Sequence, residues 1–385
     1  METLLIKNIT IVNSDERQEL CDLFIENGKI TEMGPLLKKV ATRTIDCQQQ
    51  ALFLLPGFID IHIHGANGFD TMDSSQQALE GIAKHLVKEG VTSFLATTMT
   101  QSTENIEAAL INVKNYEDHF EGAGLLGIHV EGPFLSVKRA GAQPVEFMQS
   151  PSISLLERWH ELSGGFIKIM TVAPELENGL AFVKKLRNLN IIASMGHTDA
   201  TMDEVQTAVE AGVTQATHLF NQMRPFHHRE PGVVGAALQD DNVFVELIVD
   251  FIHSHPKAVN LVYKVKGAKQ IILITDAMRA KGLPDGEYDL GGQIAYVTKN
   301  EARLEDGALA GSILTMEQAV KNMKAVTGCS LEDIVAMTSY NAAQQLGVTK
   351  KGRIAVSYDA DFVIIDRELS VHKTIRQGQV VYEKT

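Results

Sequence analysis

Two histidines one residue apart, His62 and His64 in Asp60-Ile61-His62-Ile63-His64-Gly65, have the type and spacing to hold a metal ion. Side chains two apart on an extended segment share a face, so both imidazoles can approach one point. An isolated pair of this kind also suits a satisfied core position, and its meaning depends on what converges with it. Glu131, His197, His218 and Asp276 qualify by type, and each closes a short apolar run. Imidazole nitrogens and carboxylate oxygens suit zinc or iron, with manganese and cobalt sharing the ligand set. Six such groups can serve one or two divalent ions per subunit. His197 and His218 would complete one site, His62 and His64 would contribute to the other, and Glu131 would bridge them. The competing reading is a buried polar network without an ion.

For these groups to meet, their segments must be positioned together. Short apolar runs at 57–64, 91–97, 125–131, 166–172, 191–197, 215–218, 243–250 and 271–276 alternate with stretches of helical period, of which 75–89, 176–189 and 201–211 are the clearest. Eight such units predict an α/β chain closed as a TIM (β/α)8 barrel, whose strand C-termini converge on one mouth. Both ends read differently. Before residue 56 the chain shows short strands separated by turns such as Asn27-Gly28, and the same pattern returns after Gly352. Residues 1–55 plus 352–385 are therefore expected to form a small β-sandwich domain beside a catalytic barrel of 56–351.

Composition narrows the partners. A net charge of −13 argues against nucleic acid and anionic membranes, which select a basic face. It leaves room for a small anion, since a few Arg, His or backbone N–H groups can hold a phosphate in an acidic protein. Cys21, Cys47 and Cys329 have no metal-binding spacing and read as reduced thiols. The opening Met1-Glu2-Thr3-Leu4-Leu5-Ile6-Lys7 lacks a basic segment followed by a long apolar core, and no stretch reaches membrane-spanning length, so a cytoplasmic setting is expected.

Longer motifs add a resemblance. Pro56-Gly57-Phe58-Ile59-Asp60-Ile61-His62-Ile63-His64-Gly65, Ile274-Thr275-Asp276-Ala277 and Asp359-Ala360-Asp361-Phe362-Val363-Ile364 resemble the amidohydrolase superfamily. Gly127-Ile128-His129-Val130-Glu131-Gly132-Pro133-Phe134, Met195-Gly196-His197-Thr198 and Thr217-His218-Leu219-Phe220-Asn221-Gln222-Met223 resemble, more narrowly, its deacetylases of amino-sugar phosphates. Arg229-Glu230-Pro231-Gly232 and Leu309-Ala310-Gly311-Ser312 extend the likeness, in order, over nearly the whole chain.

The resemblance implies hydrolysis of N-acetyl-D-glucosamine 6-phosphate to D-glucosamine 6-phosphate and acetate by metal-activated water. It makes Asp276 both a metal ligand and the general base and acid, and puts Glu131 where many relatives use a carboxylated lysine. Ala142, Asn221, Gln222, Arg229, Asp250, His253, Leu309, Ala310 and Gly311 become substrate contacts, with Arg229 reaching the phosphate across a homodimer interface. Some members lack the His62–His64 pair and carry a histidine at the position of Gln143; this chain has the reverse arrangement. His227 and His228 beside Arg229 are phosphate contacts or solvated, and Arg229 with Glu230 also reads as a surface ion pair. His85, His119, His129, His160, His255 and His372 read as structural or surface residues. The rival activities are those of an amidohydrolase for a cyclic amide, a dipeptide or an aminated base. A non-enzymatic scaffold is disfavoured by the intact set of ligands.

Overall fold

In the computed structural model, which describes residues 3–48 and 51–384, the alternating segments close into a parallel barrel. Its strands are Phe58–Ile63, Val91–Thr98, Gly124–Glu131, Ile167–Val172, Ile192–Met195, Val213–Ala216, Phe244–Ile248 and Ile271–Ile274, each beside its neighbour in chain order. First and last strands meet at the mouth, where the Asp276 N–H donates to His62 O at 2.8 Å and the His64 N–H to Ala277 O at 2.9 Å. The strands read as nearly unbroken apolar runs because both faces are covered: every residue of Phe58–Ile63 and of Val91–Thr98 is buried.

The outer helices follow from spacing and caps. In Gln76–Leu86 the residues Leu79, Ile82, Ala83 and Leu86 fall on one buried face, and Ser75 accepts the Ala78 N–H at its start. Met202–Ala211 opens with a reciprocal Thr201–Glu204 capping box; such a cap contributes about 1 kcal/mol. Beneath the loop that follows Glu131, Phe134 stacks on Trp159 at 5.7 Å and meets Phe182 edge-on at 4.8 Å. That aromatic block anchors the end of the third strand.

The two chain ends form a separate sheet. Thr3–Val12 lies between Arg17–Glu26 and Phe53–Pro56, and Phe362–Ile365, Val371–Arg376 and Gln379–Glu383 continue from the latter. The sheet curls until the Ala360 N–H reaches Gly28 O at 2.9 Å, enclosing a core of its own that includes Ile6, Ile11, Leu23, Leu54 and Phe362. Arg376 ties it to the barrel by donating to Asp118 and to Gly122 O. We propose a domain division at the junction of Phe53–Pro56 with Phe58–Ile63 and again near Gly352, the limits expected above; residues 1–2, 49–50 and 385 lie outside the described residues.

One element is absent from the sequence reading. After the eighth strand, Gly286–Leu290, Gln293–Thr298 and Glu301–Arg303 form a three-stranded sheet. It packs on Met99, Met278 and Ala310, and so covers one side of the barrel mouth.

Candidate active site

The barrel strands place the site, but three of its groups lie just past strand ends. His197, His218 and Asp276 have φ of 47°, 33° and 47°, a left-handed backbone that non-glycine residues adopt at a cost. Leaving the strand direction there turns each side chain into the mouth. Gly311 takes the same region at φ 63°, where a Cβ would stand 3.1 Å from Asp276 O, so the Leu309–Gly311 segment can lie close against that residue.

Glu131 Oε1 is 3.0 Å from His218 Nε2 and 3.3 Å from His197 Nε2, and the two nitrogens are 3.2 Å apart. A tetrahedral ion with bonds of ~2.0–2.1 Å separates its ligand atoms by about 3.3–3.4 Å, and the edges of this triangle lie at or just below that spacing. His197 Nδ1 lies 2.8 Å from Arg139 O, which makes Nδ1 the protonated nitrogen and leaves Nε2 free to ligate.

A second set lies on the other side of the same carboxylate. Asp276 Oδ1 is 3.2 Å from His64 Nε2 and 3.4 Å from His62 Nε2, while Glu131 Oε2 is 3.3 Å from His64 Nε2. Glu131 therefore offers one oxygen to each set. Gln143 holds it so, donating from Nε2 to Oε2 at 2.7 Å while its own Oε1 accepts the Thr100 N–H at 2.8 Å. His62 Nε2, buried, has no hydrogen-bond partner, which an ion would satisfy. His129, Glu246 and His62 also cluster, but His129 Nδ1 is 3.1 Å from Ile61 O and its Nε2 is 2.8 Å from Thr171 Oγ1. Neither nitrogen of His129 is free to ligate.

The electrostatics are those of a site built for positive charge. Burial alone would raise the Glu131 carboxyl, but His62 and hydrogen bonds from His197, His218 and His64 hold it well below the usual carboxylate range. Burial likewise opposes ionisation of Asp276, yet His62 and His64 bring it down to about 2. Burial lowers His62, and Asp276, Glu246 and Glu131 outweigh it and lift the imidazole to about 9. Burial, with the neighbouring His62, pushes His129 down to about 4 against the opposing pull of Glu246 and Glu131.

One cavity is lined by His64, Glu131, His197, His218 and Asp276 together with Ala142, Asn221, Gln222, His253, Leu309 and Gly311. Met99, Gln143 and Leu290 complete its wall without having been assigned to it from sequence. His62 sits behind His64, fully buried. Asp250 backs His253, accepting from its Nδ1 at 2.6 Å and from its N–H at 2.8 Å. Ala310 is buried beneath the wall, its N–H donated to Ala302 O. Arg229 is exposed on the 227–230 turn, with its Nη1 2.8 Å from His228 Nε2, and does not line the cavity of its own chain. Sequence reasoning missed Glu246, a fully buried carboxylate 2.9 Å from His62 Nδ1. Its signal was a single acid inside the apolar run Val243-Phe244-Val245-Glu246-Leu247-Ile248, where burial demands donors.

Residues 53–381 match the model of the amidohydrolase family. The chain is 51% identical over 380 residues to the N-acetylglucosamine-6-phosphate deacetylase of Lysinibacillus sphaericus, spanning 98% of this chain and 97% of that protein. It is 47% identical over 387 residues to that of Bacillus subtilis (strain 168), spanning 99% and 98%. Among solved structures, a mutant N-acetyl-D-glucosamine-6-phosphate deacetylase from Mycobacterium smegmatis, in complex with N-acetyl-D-glucosamine-6-phosphate, matches with a TM-score of 0.92 at 31% identity, over 99% of this chain and 100% of that one.

Proposed function

The chain belongs to the amidohydrolase family, and from that premise we propose that it hydrolyses N-acetyl-D-glucosamine 6-phosphate to D-glucosamine 6-phosphate and acetate. The observation that carries this reading is the Glu131 carboxylate, flanked by two sets of ligand atoms with Asp276 in one of them. The near end-to-end similarity to deacetylases of that substrate supports it. One or two divalent ions fit the donors, zinc or iron foremost, with manganese and cobalt also matched by ligand chemistry.

When bound, such an ion supplies a Lewis acid that polarises the amide carbonyl and lowers the pKa of water. The chain's own residues do the rest. Asp276 accepts a proton from the attacking water and delivers it to the amide nitrogen as the C–N bond breaks, so that the amine leaves neutral and acetate takes the oxygen. Gln143 keeps Glu131 oriented between the ligand sets. Ala142, Asn221, Gln222, His253, Leu309 and Gly311 hold the sugar, with Asp250 and Ala310 supporting them from behind.

Arg229, exposed and outside its own cavity, supplies the phosphate contact from the other copy of a homodimer, with His227 and His228 beside it. No helix among the described residues is long and apolar enough to cross a membrane, and a cytoplasmic setting completes the proposal.

The test is acetate release by metal-loaded protein from N-acetylglucosamine 6-phosphate, its 4-epimer and the unphosphorylated sugar. The phosphorylated glucosamine derivative should be the best substrate. No release from it, or equal efficiency on the free sugar, would reject the assignment.

A further inference from the structure

Glu246 lies on the seventh strand, Phe244–Ile248, fully buried and outside the cavity wall, where it cannot touch a substrate. Its carboxylate faces three donors. His62 Nδ1 is 2.9 Å from Oε2, the His218 N–H donates to the same oxygen at 3.2 Å, and Gln215 Nε2 donates to Oε1 at 2.7 Å. Among the described residues, its one ion-pair partner is His62. A fully buried carboxylate without a lysine or arginine is costly unless positive charge lies nearby.

The geometry points to Glu246 as the positioning residue that turns His62, His64 and Asp276 into an ion site. Accepting from His62 Nδ1 fixes the proton on that nitrogen and makes Nε2 the ligating atom. Nε2 is the unpartnered atom, 3.4 Å from Asp276 Oδ1. The negative charge behind the ring also makes Nε2 a stronger donor, and a cation in front of the ring balances the buried charge. His197 differs, since a neutral carbonyl, Arg139 O, stands behind it. The site served by His62 should therefore depend on Glu246 far more than the Glu131–His197–His218 site does. This inference rests on the two-ion reading of the proposed function.

The test compares wild type with Glu246→Gln and Glu246→Ala in the full chain. Glutamine keeps an acceptor for His62 and for the His218 N–H. Its new N–H₂ would face Gln215, whose unpartnered Oε1 can turn to accept it, so the exchange removes charge with little change of shape. Binding of Co²⁺ and Zn²⁺ is measured by competition with a chelator, and the visible Co²⁺ spectrum reports each site. Wild type should bind two ions. Glu246→Gln should weaken the second by about 10- to 100-fold and leave the first unchanged, and Glu246→Ala should weaken the second further. If the alanine variant does not fold, the glutamine variant decides alone. An unmoved second affinity, or equal losses at both sites, overturns the role of Glu246. A wild type that binds only one ion overturns the two-ion reading first, and the inference with it, so the two failures are told apart.

Discussion

Replacing Asp276 by asparagine separates proton transfer from metal binding. The backbone there is pinned on both sides: its N–H donates to His62 O at 2.8 Å and its carbonyl accepts the Ser312 N–H at 2.8 Å. The new amide should thus occupy the position of the carboxylate. It retains an oxygen 3.2 Å from His64 Nε2 and 3.4 Å from His62 Nε2, but no longer carries a charge or accepts a proton. The Glu131–His197–His218 set does not include Asp276 and should keep its ion. Loss of a general acid-base group lowers turnover by roughly 10²- to 10⁴-fold, about 3 to 5 kcal/mol of barrier. The assay is kcat for acetate release with metal counted in the same sample. Near-normal kcat at full metal content would refute the proton role, and loss of all metal would show that Asp276 acts chiefly as a ligand.

Arg229→Ala should raise KM for the phosphorylated sugar by roughly ten- to a hundredfold, the value of a charge-assisted contact of about 1.5–3 kcal/mol, with kcat little changed; an unaltered KM speaks against the phosphate contact. Gln143→Leu removes the donor to Glu131 and strands the buried Thr100 N–H. A loss of about 1–3 kcal/mol in unfolding free energy, together with weaker ion binding, is expected, and unchanged melting and metal affinity would contradict it. Burial raises Asp118, but hydrogen bonds from Arg376 and the Phe120 N–H outweigh it and leave the carboxyl below its ordinary value. The pair therefore stabilises the fold above the unfolded pKa and loses that effect as pH falls through the depressed folded value. Thermal melts of wild type and Asp118→Asn should differ at neutral pH and converge in strong acid; a gap that persists there would refute the pairing.

The barrel was legible because its strands are buried on both faces and its helices on one, which leaves two distinct periodicities in the sequence. The expected segments 91–97 and 125–131 differ from Val91–Thr98 and Gly124–Glu131 by one residue at one end. Segments 191–197 and 271–276 overran Ile192–Met195 and Ile271–Ile274, since hydropathy does not mark the left-handed backbone of His197 and Asp276. The sheet of Gly286–Arg303 was hidden because its strands are short and half-exposed, as in the alternating burial of Gln293–Thr298. In the site, the paired spacing of His62 and His64 could be read directly, whereas Gln143 and Glu246 act through ligands distant in sequence. Such contacts leave no local period.

Under the proposed function, divalent ions held around Glu131 make this barrel mouth a deacetylase. The direct measurement is to strip the protein with a chelator, return Zn²⁺ or Fe²⁺ in steps, and follow acetate release from N-acetylglucosamine 6-phosphate against ions bound, with His197→Ala alongside. Activity should vanish on stripping, return in proportion to ions bound, and stay absent in His197→Ala. Full activity in the stripped protein, or wild-type turnover and occupancy in His197→Ala, would contradict it.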